Sequence, residues 1–311
     1  MTIDVRKLRY FVAVFEEGSF TRAAKRENVV QPTLSVQITH LEEELSVKLL
    51  ERSAQGVKPT HAGERYYKRC IQILNDLEIA AQEMRDLSGR VTGLIRIGVM
   101  PSICHGPLFA IVNRYTARYP DVELRFQEGL SGVLADAVVA GELDFAVGNR
   151  PVPLTQLTYR EVLNDRLILI SGSQKELPRW KPYRLNEVPN LKLIVPSLRQ
   201  AQRRLINEHI ASGTIQADQF LEVDGVLASL NVVRGSDWSV LLPTVALLNE
   251  SDSEDLVINP IEAPILASDI FEMHLTNAPL SLPAQCFVDL LHDALSEIAP
   301  TLGKPRNHSG V

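Results

Sequence analysis

Apolar residues recur at helical spacing near the start of the chain. Leu8, Phe11 and Phe15 fall on one face of a first predicted helix. The same period continues through residues 18–45, where Asn28 and the two valines after it interrupt it once. The pattern therefore predicts three helices, of which the last two are joined by a tight connection.

The third predicted helix has an apolar back and a polar front. Ser19 suits the N-cap of the helix before it, and Pro32 suits the first turn of the third helix itself. Such a helix suits insertion into a DNA major groove, although amphipathic helix pairs also occur in many all-α proteins. The back carries Leu34, Ile38, Leu41 and Leu45. The front and the exposed N-terminal end carry Gln31, Pro32, Thr33, Ser35, Val36, Gln37 and His40.

The segment ERSAQGVKPT follows these helices and predicts a hairpin. Gly56 suits a tight turn between two short extended arms, and Arg52 and Lys58 lie on those arms. Beside a DNA-reading helix, such a wing would grip the DNA backbone or the minor groove. On the residues alone, an ordinary basic surface hairpin is the simpler interpretation.

From His61 to about Leu87 the chain is free of proline and predicts one long helix. Apolar residues repeat along it at alternating steps of three and four, as in a coiled-coil seam. Stripes of this kind are commonly buried against their own domain. Because this helix lies between two domains, we expect it to pair with a second copy. The predicted seam consists of Tyr67, Cys70, Leu74, Leu77, Ala81 and Met84.

From Leu94 onward the pattern changes to short β-rich runs that alternate with helical stretches. The runs LIRIGV, VELRFQ and DFAV are separated by predicted helices at 105–118 and 131–140. Further runs, RLILIS, KLIV, QFLEV, SVLL and IFEMHL, precede a closing helix at about 283–298. This alternation predicts a mainly parallel sheet.

Composition and charge say less about the function of the chain than the pattern of hydrophobic and polar residues does. The 311 residues are 45% hydrophobic and 23% charged, contain no apolar run long enough to span a membrane, and show no signal-peptide h-region in their first residues. We therefore expect a cytoplasmic protein of two or three domains with no membrane partner. Residues 1–90 hold 14 basic and 13 acidic residues, against 18 and 25 in the remainder, so bulk charge alone does not indicate DNA. Three scattered cysteines indicate neither a disulfide framework nor a metal site, and no cofactor is expected.

The run LRYFVAVFEEGSFTRAAKRENVVQPTLSVQITHLEEELSVKLLERSAQGVKPTHAG, residues 8–63, closely resembles the N-terminal head of the LysR-type transcriptional regulators. The resemblance extends over the whole chain. It implies a multidomain fold: an all-α winged helix-turn-helix DNA-binding head at 3–60 and a linker and dimerisation helix at 61–90. A two-lobed α/β effector domain of the type 2 periplasmic-binding-protein kind would follow at 91–300, before a flexible tail at 301–311. The first lobe would take 94–164 and 269–300, and the second 165–268.

The resemblance also implies the function and the partners. We expect a sequence-specific regulator that binds double-stranded DNA at a pseudo-palindromic promoter site and senses a small metabolite, such as an organic acid. It would form a homodimer through the linker helix and, as is common in the family, a homotetramer; RNA polymerase is a further candidate partner. The expected DNA contacts are Ser19, Thr21, Arg22, Gln31, Pro32, Thr33, Ser35, Val36, Gln37, Thr39, His40, Arg52 and Lys58.

In α/β lobes of this kind, ligands bind beyond the carboxyl ends of strands, where hydroxyl and N–H groups can hold an anion. Ser131 and Ser197 can equally be simple helix caps, Ser102 beside Pro101 less readily so, and for Arg199 a solvated side chain is the more common role. Those positions predict effector contacts at Met100, Pro101, Ser102, Gly129, Leu130, Ser131, Asn149, Ser197 and Arg199.

The chain departs from the family pattern in several places, which leaves its base contacts open. Val36 stands where many members carry an arginine, although a valine can still touch a thymine methyl group. Gln55, Pro59 and Trp238 are further departures. One alternative function is a thiol-based redox regulator, suggested by Cys104 beside the Ser102 loop. An α/β enzyme is the other, but the sequence has no GxSxG elbow, P-loop or metal-ligand cluster.

Overall fold

The computed structural model describes residues 4–53, 56–86, 90–151, 154–250 and 253–301. The chain divides into two compact units, one built on residues 1–90 with 139–142 and the other on the remaining residues from Val91. Ser88 and Gly89 near the end of the predicted linker segment, the wing position Gln55 and nearly all of the predicted tail lie outside the described residues.

Local sequence accounts for the ends of the first helices. The Asp4 carboxylate accepts the N–H of Arg6 at the first helix, and Gly18 ends that helix with a left-handed φ of +56°. Ser19 then caps the next helix by accepting the N–H of Arg22. The elements of this unit are α1 (Val5–Glu17), α2 (Phe20–Arg26), α3 (Gln31–Leu45), β1 (Leu50–Ser53), β2 (Gly56–Pro59) and α4 (His61–Asp86).

A buried carboxylate joins α3 to the antiparallel hairpin of β1 and β2. Glu42 accepts the N–H groups of Leu49 at 2.9 Å and Leu50 at 3.1 Å, and the ammonium of Lys48 at 2.6 Å. Burial works to raise the pKa of the Glu42 carboxyl, but these hydrogen bonds outweigh it and hold the pKa below its ordinary value. The wing therefore begins at a fixed point on α3.

The first turns of α4 pack on the head, which corrects part of the predicted seam. Tyr67 stacks on Phe15 with ring centroids 4.0 Å apart, and its hydroxyl donates to Glu16 at 2.8 Å. Cys70 is fully buried in the core of the head, and Leu74 is half-buried against it. A side chain as enclosed as Cys70 cannot also face a second copy, whereas Tyr67 and Leu74 are half-buried and turned toward the head.

The rest of α4 leaves apolar side chains uncovered. Ile73 is 45% exposed, Leu77 46% and Met84 64%, and Ala81 is exposed as well. These four residues lie at steps of four, four and three, close to one helix face. We call them the linker stripe. Leu77, Ala81 and Met84 belong to the predicted seam, whereas Ile73 was not predicted.

The second unit contains two five-stranded sheets. Their strand orders are β4-β3-β5-β14-β6 in the first lobe and β10-β9-β11-β7-β12 in the second. The elements are β3 (Gly93–Val99), α5 (Pro101–His105), α6 (Leu108–Arg118), β4 (Val122–Glu128), α7 (Ser131–Ala140), β5 (Phe145–Asn149), β6 (Leu157–Leu163), β7 (Leu167–Gly172), β8 (Tyr183–Arg184), β9 (Lys192–Val195), α8 (Ala201–Ala211), β10 (Gln219–Glu222), α9 (Val226–Arg234), β11 (Ser239–Pro243), β12 (Leu256–Asn259), β13 (Ile261–Ala263), β14 (Ile270–Leu275) and α10 (Leu282–Ile298).

The prediction of a mainly parallel sheet is wrong, because both sheets are mixed. Strand β3 pairs in parallel with β4 and β5, whereas β14 runs antiparallel to β5 and β6. In the second lobe, β9 is parallel to β10 and β11, and β7 runs antiparallel to β11 and β12. Strands β7 and β14 each follow a crossing between the lobes. Their partners lie far away in sequence, so no local pattern signals their direction.

Candidate DNA-reading face and effector cleft

The front of α3 is open and carries no cationic side chain. Val36 is 49% exposed, while Leu34, Ile38 and Leu41 on the back are buried. Because α3 contains neither lysine nor arginine, α3 itself cannot make the bidentate arginine–guanine contact. The side chains that α3 offers on this front are neutral hydrogen-bonding groups and methyl groups. Gln31, Pro32, Thr33, Val36 and His40 are exposed, and Ser35, Gln37 and Thr39 are half-buried.

Arg52 of the wing is fastened to both helices of the helix-turn-helix. Its guanidinium donates to the Ser35 hydroxyl at 2.9 Å and lies 4.1 Å from the centroid of the Phe20 ring. Ser35 is thus already engaged within the head. The Thr39 hydroxyl likewise donates to the carbonyl oxygen of Ser35, at 3.1 Å. Among the predicted DNA contacts, Ser35 therefore also joins α3 to the wing, whereas the Thr39 hydrogen bond stays within α3.

The remaining predicted DNA contacts, around α2 and on the wing, are either bonded within the head or exposed. The Ser19 hydroxyl serves as the cap described above, and Arg22 donates to the carbonyl oxygen of Glu17 and pairs with its carboxylate at 3.3 Å. Thr21 and Lys58 are exposed. Exposed side chains at these positions remain able to meet phosphates, which fix orientation without reading sequence.

A cleft of about 720 Å³ lies between the two lobes of the second unit. Of the predicted effector residues, Ser197 does not line the cleft, because the chain turns there and its N–H donates to Asp224 at 2.9 Å. The other eight come together in the lining: Met100, Pro101, Ser102, Gly129, Leu130, Ser131, Asn149 and Arg199.

Ser102 is the polar group of the cleft that most lacks a partner. The residue is 2% exposed, and its Oγ has no hydrogen-bond partner among the described residues. A buried hydroxyl left unpaired costs about 1–3 kcal/mol. Close by, α7 begins at Ser131, and a Cβ added at Gly148 would come within 2.6 Å of the Ser131 Oγ. The floor of the cleft is thus built from short hydroxyl side chains and a helix N-terminus.

Charged groups reach the cleft from both lobes. Arg150 comes from the first lobe, and Arg199 and Arg204 come from the second; all three are exposed. Asp136 and Asp224 also line it, and the pKa of Asp224 is lowered chiefly because its carboxylate accepts the N–H of Ser197. Arg150 and Arg204 were not predicted: Arg150 directly follows Asn149 at the end of β5, and the position of Arg204 on α8 gives no local signal.

Cys70 is buried, and Cys104 is partly buried with the carboxylate of Glu128 beside it. Burial raises the pKa of Cys70 and of Cys104 to about 12 in each case, which leaves little thiolate at neutral pH.

Across the described ranges, no group of three His, Cys, Asp or Glu side chains is placed to hold a metal ion. In the same ranges, no helix has both the length and the apolar character that crossing a bilayer requires.

Comparison with known proteins assigns both units. Residues 5–64 match the family described as "Bacterial regulatory helix-turn-helix protein, lysR family", and residues 88–296 match "LysR substrate binding domain". The regulator BenM of Acinetobacter baylyi is 28% identical over 252 residues, which cover 78% of this chain and 80% of BenM. Two solved structures share the fold. A full-length OxyR variant from Pseudomonas aeruginosa has a TM-score of 0.73 at 20% identity, with 100% of both chains covered. Full-length CbnR complexed with target DNA has a TM-score of 0.68 at 18% identity, covering 94% of this chain and 100% of CbnR. The predicted fold class is confirmed.

Proposed function

This chain belongs to the LysR family of DNA-binding transcriptional regulators, which are not enzymes, and we propose that a small organic anion in the cleft controls its activity. The observation that carries this proposal is the buried, unpartnered hydroxyl of Ser102 at the cleft wall. An oxygen atom of a ligand would satisfy that hydroxyl and remove its desolvation cost.

The surroundings favour an acid with an apolar body. The N–H groups at the start of α7, which has ten residues, attract an anion. Arg150, Arg199 and Arg204 add positive charge from both lobes. Most of the remaining wall is apolar and includes Leu130, Leu154, Ile194, Val223, Val226 and Val240. We infer a carboxylate held near Ser102 and Ser131, with the rest of the molecule packed along this wall.

For DNA, we propose that two heads act together on a pseudo-palindromic promoter site in the cytoplasm, with RNA polymerase as a candidate partner. The linker stripe supports a dimer, because four apolar side chains on one exposed face gain by meeting a second copy. A homotetramer would join two such dimers. In this scheme residues 3–60 read DNA, 61–90 join the copies, 91–300 sense the effector, and 301–311 form a tail.

A thiol-based redox sensor is the alternative on the same fold, and nothing in the described residues favours it. Cys104 has a raised pKa, and the second lobe, residues 165–268, contains no cysteine. A gel-shift titration on DNA selected by the full-length protein separates the two functions. We expect binding to resist peroxide and dithiothreitol. A panel of small organic acids, screened by thermal shift, should contain at least one that raises the Tm. A response to oxidant alone would contradict the proposal.

A further inference from the structure

Helix α5 carries Ser102 at one end and contacts the opposite lobe with the other. Its last residue, His105, places Nε2 3.2 Å from Oε1 of Glu250. His105 belongs to the first lobe, whereas Glu250 follows β11 of the second-lobe sheet. Only two residues separate Ser102 from His105, so the cleft wall and this interlobe contact share a single helical turn.

The partner of His105 is itself held in place by charge. Arg234, the last residue of α9, pairs with Glu250 at 2.5 Å and with Asp255 at 3.0 Å. The side chains of His105, Glu250 and Arg234 are only 21%, 12% and 26% exposed. The Arg234–Glu250 pair, enclosed to this degree, is screened much less by salt than surface pairs are.

Main-chain contacts reinforce the same junction. The amide of Asn249 donates to the carbonyl oxygens of His105 at 2.8 Å and Gly106 at 3.0 Å. These carbonyls lie at the end of α5, where a helix leaves acceptors unsatisfied. A Cβ added at Gly106 would lie 2.2 Å from the carbonyl oxygen of Val245, so only glycine fits there.

The segment that supplies these contacts bridges the lobes. Val245 is buried in the core of the first lobe, whereas Leu247, two residues later, is buried in the core of the second. Asp165, beside the first crossing between the lobes, accepts the N–H groups of Thr244 and Val245. Residues 244–250 therefore join the lobes in addition to the two crossings of the chain.

We propose that His105, Arg234, Asn249 and Glu250 form an interlobe clasp that positions α5, and with it Ser102. None of the four lines the cleft, so they are positioning residues. A helix of five residues cannot hold itself in place, and its position depends on tertiary contacts. The link to effector sensing rests on the proposed function. An anion at Ser102 and the clasp at His105 would then act on the same short helix. Binding in the cleft would in this way be coupled to the position of one lobe relative to the other.

The test is hydrogen exchange, followed by mass spectrometry, on peptides covering residues 100–108 of the full-length protein. Glu250→Gln should raise exchange in these peptides by about tenfold while exchange in β3 and β5 stays unchanged. The matched control is Asp237→Asn, which breaks the Lys192–Asp237 pair of 2.8 Å within the second lobe. This control should leave α5 unaffected.

His105→Gln and Asn249→Ala test the clasp independently if Glu250→Gln fails to fold. Loss of overall stability would raise exchange in every strand, whereas loss of positioning raises it at α5 alone. Unchanged exchange at α5 in all folded clasp variants, or an equal rise in Asp237→Asn, would overturn the proposal. Because the measurement needs neither DNA nor effector, its failure is distinguishable from failure of the proposed function.

Discussion

Arg52 on the wing donates a hydrogen bond to the hydroxyl of Ser35 on α3, at 2.9 Å. The same guanidinium lies over the Phe20 ring of α2. One arginine therefore sets the position of the wing relative to both helices that would face DNA. A planar guanidinium is needed for this double contact, and a lysine would supply the charge without the geometry.

We expect Arg52→Ala to weaken specific DNA binding by about tenfold, because the variant loses a cation and also releases the wing. Arg52→Lys should recover only part of that loss. The control is Lys58→Ala, which removes an exposed cation of β2 and should mainly reduce the salt dependence of binding. Gel-shift affinities at two salt concentrations measure both effects. Equal losses in Arg52→Ala and Lys58→Ala would contradict the positioning role.

Val36 should read a thymine methyl group, since it is the exposed apolar residue at the centre of a front without cations. Val36→Ala removes two methyl groups, of which the one packed on the thymine should contribute about fourfold in affinity. Replacing the contacted thymine by deoxyuridine should cost the wild type as much and the variant nothing further. Additive losses from the two changes, measured in one gel-shift series, would show that Val36 and the methyl group do not meet.

The pH dependence of the head's stability should depend on Glu42. A carboxyl whose pKa is lowered by folding contributes stability above its unfolded pKa and loses it as pH falls through the folded pKa. For Glu42 the ordinary value is 4.5, so its contribution is present at neutral pH and disappears in more acidic solution. We expect Glu42→Gln to lower the free energy of unfolding by about 1–3 kcal/mol at pH 7 and by less at pH 3.5. Urea titrations at both pH values measure the difference, and an equal effect at both would refute the assignment.

The linker stripe should hold the dimer. Leu77→Gln combined with Met84→Gln should leave the fold intact, because both side chains are exposed in the single chain. The variant should shift the protein toward monomers at micromolar concentration and weaken DNA binding with it. Lys68→Gln, on another face of α4, is the control. Sedimentation velocity measures the fractions of monomer and dimer. An unchanged dimer fraction would show that the dimer interface does not include the linker stripe.

Ser102 has a matched control within its own unit. Both Ser102 and Ser197 bury their hydroxyls, yet only Ser102 lines the cleft. Ser102→Ala should reduce the affinity for the bound organic acid by about tenfold and leave DNA affinity unchanged, whereas Ser197→Ala should leave both unchanged. Isothermal titration with the acid found by thermal shift measures the affinities. The same loss in both variants would remove Ser102 from the effector site.

The sequence by itself determined the elements whose signals are local. The caps at Ser19 and Gly18, the buried back of α3 and the strand ends around the cleft all follow from spacing within a few residues. Eight cleft residues could be predicted in this way, because a strand end and the turn after it are adjacent in the chain.

Only the tertiary structure decided which side chains already have partners within the protein and which remain available to DNA, an effector or a second copy. Arg52 meets Ser35 across 17 positions, and His105 meets Glu250 across 145. The spacing of Cys70 fits a helix seam, but in the folded head Cys70 is buried in the core that α1 shares. The direction of β14 depends on its pairing with β5, which is distant in sequence. Contacts of this kind leave no periodic trace in the sequence. These contacts form when the folding chain brings distant segments together. The packing of those segments then determines which side chains are buried.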